Sequence, residues 1–478
     1  MRTVAQPVGA NLPSPSMCNT IVFIVMLGMA TYSYFYLCTQ FLSNSLYAQL
    51  FFFLVVSAAI IVSFLNTTIW FDDDLYRYIY LSYIQNLGLD PYNDVPAQFL
   101  HQKQIQTVVH FIGYPDIPSV YSPFTHNILG ILGDLIGYTA VYWQLFNGII
   151  YLLTFALFFC TYVVFPKLKF LVPLFFGFQP VFIVDFANGG HMDIYCLFAF
   201  AIHLFFVCSL SLVRDSYPKF SFIKLFSILS AVFSGLMFNI RPTFMIAYAA
   251  FALYLWLNKR ELFANKKILL LIIFSFVIGC ILPYIYFGVH LLLQAIPAQS
   301  PLYLMYLNYL ENTAYFARYW VFFSCLTDVF SVVLSNLYPQ DLAWSMSIKI
   351  SYIGSFLTAF IYGCIKWAKK QVRPSDLFTV FMSGCVLIPV VNSWYFAAFF
   401  LVLCSLRRKH DTVNDSFKQI APFLIFPLFA KIGILYWVSK TEPLLVFKIS
   451  WCIWLAWAVY TSVWRALTPS DSIVVARF

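Results

Sequence analysis

Residues 268–288 read ILLLIIFSFVIGCILPYIYFG, an uncharged run preceded by Lys266 and Lys267. A helix rises about 1.5 Å per residue, so a run of this length covers the roughly 30 Å of a bilayer's hydrocarbon core. The run has no polar face, which a helix on the surface of a soluble domain would need. Comparable apolar runs lie at 20–39, 48–66, 139–163, 169–186, 193–212, 223–239, 242–258, 345–366, 377–391, 394–405, 420–437 and 446–464. Together they make about thirteen candidate spans, with 377–405 readable instead as one broken helix. Composition agrees. Hydrophobic residues make up 62% of the 478 positions and charged residues 10%, against about 25% charged in an average soluble domain. A soluble globular protein, a disordered chain, a coiled coil and a collagen-like fibre are all excluded on these grounds. The expected fold is all-α: a polytopic transmembrane helix bundle of about 11–13 spans with a helical loop domain on its outer face.

The chain divides into a polar tail at 1–19, N-terminal membrane helices at 20–66, a first long connection at 67–138 and central membrane helices at 139–289. A second long connection at 290–344 with interfacial helices, C-terminal membrane helices at 345–466 and a tail at 467–478 complete it. The first apolar run lacks a basic segment before it and reads as a retained helix rather than a cleaved signal. Net charge is +9. Basic residues gather at Lys167–Lys169, Arg214–Lys224, Lys259–Lys267, Lys366–Arg373 and Arg407–Lys409. Cytoplasmic loops of membrane proteins collect Lys and Arg, so the excess marks those connections as cytoplasmic and does not call for nucleic acid as a partner. The connections at 67–138 and 290–344, with the turns at 187–192, 239–242 and 391–394, then share the opposite face, together with the N-terminus. The eleven cysteines are scattered, mostly within apolar runs, and none forms a CxxC pair. They read as small hydrophobes, with no metal site implied. No GxxxxGK[ST], GxGxxG or HExxH pattern occurs, so ATP-driven transport, Rossmann nucleotide binding and zinc proteolysis have no support.

Chemistry concentrates on the non-cytoplasmic side. The first long connection opens with Phe71-Asp72-Asp73-Asp74-Leu75-Tyr76-Arg77-Tyr78. Ionisable groups at a membrane boundary tend to be functional, and adjacent acids raise one another's pKa, which suits a group that accepts a proton. The competing reading is a solvated helix start, where Asp complements the dipole. Arg77 lies one helical turn from Asp73 and Asp74, placed either for a salt bridge or for a phosphate. A turn at Leu89-Asp90-Pro91-Tyr92 leads towards a proline-stiffened strip, Tyr114-Pro115-Asp116-Ile117-Pro118-Ser119-Val120-Tyr121-Ser122-Pro123. Its two tyrosines, Tyr114 and Tyr121, are candidates to stack on a sugar or to sit at the interface. The turn Asn188-Gly189-Gly190-His191-Met192-Asp193 offers a close backbone approach and a helix N-terminus, where anions are favoured. Arg241, within an otherwise apolar stretch, needs a partner: a lipid phosphate or one of the acids. Trp394 and Tyr395 lie in a further turn on the same side. Carboxylate, cation and aromatic platform on one face are what sugar transfer from a lipid phosphate requires. The base takes the acceptor's proton, and the cation steadies the departing phosphate.

The block Asp73-Asp74-Leu75-Tyr76-Arg77-Tyr78, the segment Gly88-Leu89-Asp90-Pro91-Tyr92 and the strip Pro115–Pro123 resemble the first outer loop of polyprenyl-phosphate-sugar-dependent mannosyltransferases of the GT-C superfamily. Gly190-His191-Met192-Asp193 is similar to that family's Gly-His-x-Asp turn, and Arg241-Pro242 and Trp394-Tyr395 follow in the family's order. The resemblance implies a GT-C type bundle and an inverting transferase without metal or other cofactor. It moves a hexose, usually mannose, from a polyprenyl- or dolichyl-phosphate donor to a hydroxyl acceptor on the non-cytoplasmic face. It places the catalytic base at Asp73 or Asp74, with Asp73 preferred because it heads the block. Arg77, His191, Asp193, Arg241, Tyr76, Tyr121, Trp394 and Tyr395 are the expected donor phosphate and sugar contacts. The chain departs from the family pattern in having Asp90 where Asn is frequent, and Tyr114, Asn392 and Ser393 where His is frequent. Where those histidines hold the donor phosphate, His191, Arg77 and Arg241 carry more of that role here.

Two other readings stand beside this one. A transporter or flippase of a lipid-linked substrate predicts two-fold symmetry between halves and charges near mid-membrane. A non-catalytic scaffold predicts that the loop acids are dispensable. The expected partners are a lipid-linked sugar donor, membrane lipids and a glycan or lipid acceptor whose identity is open. The expected location is the plasma (inner) membrane in a bacterium, or the endoplasmic reticulum membrane in a eukaryote.

Overall fold

The computed structural model describes residues 46–65, 74–165, 179–210, 222–241, 243–257, 266–293 and 325–368, with Met29 and a few positions between 305 and 312. Every regular element among them is helical. In chain order the helices are α1 (Leu46–Leu65), α2 (Asp74–Asn86), α3 (Pro123–Ile136), α4 (Ala140–Val164), α5 (Asp193–Ser209), α6 (Phe222–Met237), α7 (Thr243–Leu257), α8 (Lys266–Leu293), α9 (Cys325–Ser335) and α10 (Gln340–Ala368). Short turns at Pro96–Phe99 and Gln106–Val109 lie between α2 and α3. Just before α5, Pro180–Phe182 runs into a wide π turn at Ile183–Asn188.

Two of these helices are long and apolar enough to cross a membrane: α4, and the Lys267–Tyr286 stretch of α8. Pro180–Asn188 and Asp193–Ser209 together meet the same test, but their axes bend by 110° at the break. The expected runs 48–66, 139–163, 223–239 and 242–258 correspond closely to α1, α4, α6 and α7. One boundary moves. The expected 345–366 run begins at Gln340, because Pro339 starts the helix and the polar Gln340 and Asp341 form its first turn. The last part of the second long connection is thereby helical, and α9 packs back on α10 as a hairpin. The expected helices at 20–39 and beyond 368, and the residues Asp72, Asp73, Trp394 and Tyr395, lie outside the described residues.

The bundle is a chain of pairwise contacts: α1 on α4, α4 on α5, α5 on α6, and α6 on α8. Small residues decide the last of these. A Cβ at Gly235 would collide with the carbonyl oxygen of Phe276, and one at Gly279 with that of Val232. The two backbones touch, as helices in lipid do where Gly lines the crossing. On its other side α6 turns serines towards α5. Ser234 donates to the carbonyl of Ala199 at 3.0 Å, and the Ser230 hydroxyl lies 3.1 Å from Nδ1 of His203. Nε2 of His203 in turn meets the Tyr248 hydroxyl at 2.9 Å.

The first long connection folds into short helices whose apolar side chains join the core of the bundle. Tyr78, Ile79, Leu81, Ile84, Ile105, Val109, Ile112 and Leu129 are buried in it. Its helices start and stop where the chemistry dictates. Ser122 caps α3 by accepting from the Thr125 N–H at 3.2 Å, with Pro123 at the first helical position, where its missing donor costs nothing. At the far end Gly137 has φ +81°, and the Trp143 indole donates to its carbonyl. α2 and α3 are tied by Asn86, which donates to Asp134 at 2.7 Å and to the carbonyl of Gly130 at 3.1 Å.

Candidate active site

Three segments distant in sequence meet where this connection rests on the bundle. Asp74 is the first residue of α2, where its charge complements the helix dipole. One turn later Tyr78 lies on the same face, and its hydroxyl donates to Oδ2 of Asp74 at 3.3 Å. From the bundle side comes His191, whose Nδ1 lies 3.4 Å from the same Oδ2 and 3.5 Å from the Tyr78 hydroxyl. His191 is fully buried, whereas the Asp74 side chain keeps 23% of its surface exposed. The carboxylate is therefore the member of this cluster that a substrate can reach.

The π turn and Gly190 explain how a buried histidine arrives there. The π turn ends at Asn188, the N–H of Gly189 returns to the carbonyl of Val184, and the N–H of His191 reaches the carbonyl of Asp185 at 3.2 Å. Gly190 sits at φ +66°, and a Cβ there would lie 2.8 Å from Leu75 and 2.9 Å from the Asn147 amide. Only glycine permits both the left-handed backbone and the approach of α2. Asn147 and Gln144 of α4 hold the turn from below. They donate to the carbonyls of Gly190 at 3.2 Å and Asn188 at 3.1 Å. Asn147 is fixed in turn by the hydroxyl of Tyr195. Wide turns of this kind inside helices are uncommon and concentrate at functional sites.

Beside this cluster stands a cation. Arg241 follows the C-terminal turn of α6, and its Nε lies 3.2 Å from Oδ2 of Asp193 at the start of α5. Asp193 is fully buried, and Arg241 is 16% exposed. The guanidinium also lies over the ring of Tyr121, 5.5 Å from its centroid. Tyr121 meets Tyr78 edge-on at 5.6 Å, which links the cation to the Asp74 cluster through two aromatic rings. Burial, with Asp74 nearby, holds both phenols well above their ordinary pKa, so each remains a neutral hydroxyl. The turn carrying Arg241 is anchored from both sides: Cys196 meets the carbonyl of Met237 at 3.3 Å, and Ser122 that of Asn239 at 3.4 Å.

The proline strip positions Tyr121. Arg77 points into it, donating to the carbonyls of Tyr114 at 2.8 Å and Ile117 at 3.0 Å. Of the two roles expected for Arg77, a salt bridge or a phosphate contact, neither describes these bonds. Its guanidinium pins the strip. Ser119 and His126 meet at 2.9 Å within the same strip, and burial brings the His126 imidazole down to about 3. Tyr92 donates to the carbonyl of Tyr121 at 2.7 Å. Its own carbonyl receives the amide of Asn312 at 3.1 Å, so the second long connection touches the first at this residue. Tyr76 stacks on Phe111 at 5.0 Å, turned to a different neighbour from Asp74 and Tyr78.

Of the expected site residues, the structure brings together Asp74, His191, Asp193, Arg241 and Tyr121. It assigns Arg77 to the strip and Tyr76 to Phe111, and Asp73, Trp394 and Tyr395 are not among the described residues. Tyr78 and Asn147 were missed as site residues. Tyr78 is one helical turn from Asp74, and Asn147 is an amide inside an apolar span; both signals were present in the sequence. No group of three or more potential metal ligands occurs among the described residues. No protein-family model, curated protein or solved structure matches the chain.

Proposed function

We propose that the protein is a multi-pass membrane glycosyltransferase of GT-C type, moving a hexose, mannose first among the candidates, from a polyprenyl- or dolichyl-phosphate to a hydroxyl acceptor. The observation that carries the reading is the pairing of a reachable carboxylate with a half-buried, counter-charged cation on one face of an apolar bundle. Asp74 is oriented by Tyr78 and His191 and keeps part of its surface open. In the proposed reaction it takes the proton of the acceptor hydroxyl as the acceptor oxygen bonds to the anomeric carbon. The bond from that carbon to the phosphate oxygen breaks, and its electron pair leaves with the phosphate. Charge grows on that oxygen, and a cation held in place beforehand stabilises it without reorganising. Arg241 is that cation. Asp193 and the face of Tyr121 hold it from below, so its position does not depend on the substrate. General-base assistance of this kind contributes roughly 10²–10⁴-fold.

The remaining apolar runs of the chain complete the bundle in this reading and place the site on the non-cytoplasmic side. The experiment is direct. Purified protein in lipid is given radiolabelled polyprenyl-phosphate mannose, with glucose and arabinose analogues in parallel, and a membrane-lipid extract as acceptor. Label in a new product supports the reading. Label that crosses the bilayer on its lipid with no product supports the transporter.

A further inference from the structure

His191 is more deeply buried than a residue offered to a substrate would be. Its Nδ1 reaches Oδ2 of Asp74 at 3.4 Å, and the Tyr78 hydroxyl reaches the same oxygen at 3.3 Å. Two groups from different elements thus converge on one carboxylate oxygen. The imidazole is itself held: its backbone N–H is tied to the carbonyl of Asp185, its ring meets that of Tyr78 edge-on, and Gly190 before it admits no other residue without strain.

The geometry points to His191 as a positioning residue that also gates the site with pH: neutral, it holds the Asp74 carboxylate in place; protonated, it captures that carboxylate as an ion pair and weakens it as a base. This rests on the reading of Asp74 as the base. The physical reason is reciprocal. A cation within about 4–6 Å favours the ionised form of a carboxylate, so imidazolium lowers the proton affinity of Asp74. The carboxylate in turn favours imidazolium. Burial opposes the charge on the ring, so what protonation it has is tied to the carboxylate it faces. Among the described residues, the charged and titratable groups near the cluster include Asp193 and Arg241, paired with each other, Tyr121 on the strip with Arg77 behind it, and Asp185 on the π turn. The Asp193–Arg241 pair carries no net charge, and Tyr78 and Tyr121 stay neutral.

Two measurements test this. The first is the pH profile of sugar transfer for wild type, His191→Asn and His191→Ala between about pH 4 and 8. Asn keeps a donor near the Nδ1 position but cannot be protonated. Whatever its level of transfer at pH 8, the acid limb of His191→Asn is expected to lose the imidazole's contribution and to follow a carboxylate alone, near about 4. His191→Ala is expected to lose about 10–100-fold in kcat, the usual cost of removing an orienting partner, with KM for the donor nearly unchanged. An acid limb that stays in place in His191→Asn overturns the gate. Full activity in His191→Ala overturns the positioning role. The second measurement needs no turnover: imidazole titration by nitrogen NMR in the intact protein, with and without Asp74→Asn. One imidazole midpoint falling by about a unit in Asp74→Asn supports the coupling, and midpoints unmoved by the substitution overturn it. If no lipid-phosphate sugar is transferred by wild type while that midpoint moves, the glycosyltransferase reading fails and the Asp74–His191 coupling stands.

Discussion

At the crossing of α6 and α8 two backbones meet through Gly235 and Gly279, and the neighbouring contacts are serine hydroxyls on carbonyls. At the junction of the first long connection and the bundle, a carboxylate, an imidazole, a guanidinium and two phenols meet instead. Both junctions contain a glycine that a Cβ would break. The first spends it on letting helices touch, the second on delivering His191 to Asp74. The first junction is held by close packing and neutral hydrogen bonds, so its residues are small and uncharged. Buried charge is costly without a partner, and the second junction pairs its buried carboxylate with Arg241; the proposed function rests on that pair.

That comparison is open to attack at several points. Arg241→Gln is expected to have the largest effect. It strands the buried Asp193 carboxylate, destabilising the protein by about 3–5 kcal/mol, and removes the charge that steadies the leaving phosphate, costing about 10²–10³ in kcat. The double substitution Arg241→Gln with Asp193→Asn should recover most of the stability, read by thermal melting in detergent, and none of the activity. Recovery of transfer in the double variant would reduce the pair to a structural brace. Gly279→Val should do the opposite. Forcing a Cβ against the backbone of α6 is expected to cost more than the about 1–3 kcal/mol of ordinary overpacking, seen as lost monodisperse protein by size-exclusion chromatography. The molecules that do fold should transfer sugar at the wild-type rate.

A smaller effect concerns the strip. Burial lowers the His126 imidazole from 6.5 to about 3 in the folded protein. Below pH 6.5 the unfolded chain binds a proton that the folded chain refuses, so this contribution is complete above about 6.5 and is lost progressively as pH falls towards 3. His126→Gln should flatten that part of the melting profile, and an unchanged slope would assign the acid sensitivity elsewhere. The smallest change is Tyr92→Phe. It removes one hydroxyl donated to the carbonyl of Tyr121 and is expected to cost about 1 kcal/mol. Its effect on transfer should be a few-fold, acting through the Tyr121 ring beneath Arg241.

Helix positions in the bundle were legible because composition changes abruptly at their ends. The 139–163 run appears as Ala140–Val164, and 223–239 as Phe222–Met237. Gln340 was hidden because the first turn of α10 is polar and reads as loop. The 110° bend after Asn188 was legible only as a turn, since nothing local distinguishes a π turn from a helix end; the packing of Asn147 and Gln144 against it is a long-range fact. Within the site, acids and cations announced themselves as costly residues near hydrocarbon, which is why Asp74, His191, Asp193 and Arg241 could be named in advance. Their pairing could not. Arg77 shows the limit most clearly: an arginine one turn from an acid suggests an ion pair, but the strip supplies two carbonyls that only the folded loop brings within reach.

The account turns on Asp74 as the base, and the most direct measurement is a single-turnover assay of Asp74→Asn beside wild type in lipid nanodiscs. Both would carry pre-bound radiolabelled polyprenyl-phosphate mannose, with donor binding measured on the same samples. The account predicts that the variant binds the donor as wild type does and forms product about 10²–10⁴-fold more slowly. Product formed at the wild-type rate by Asp74→Asn would contradict it.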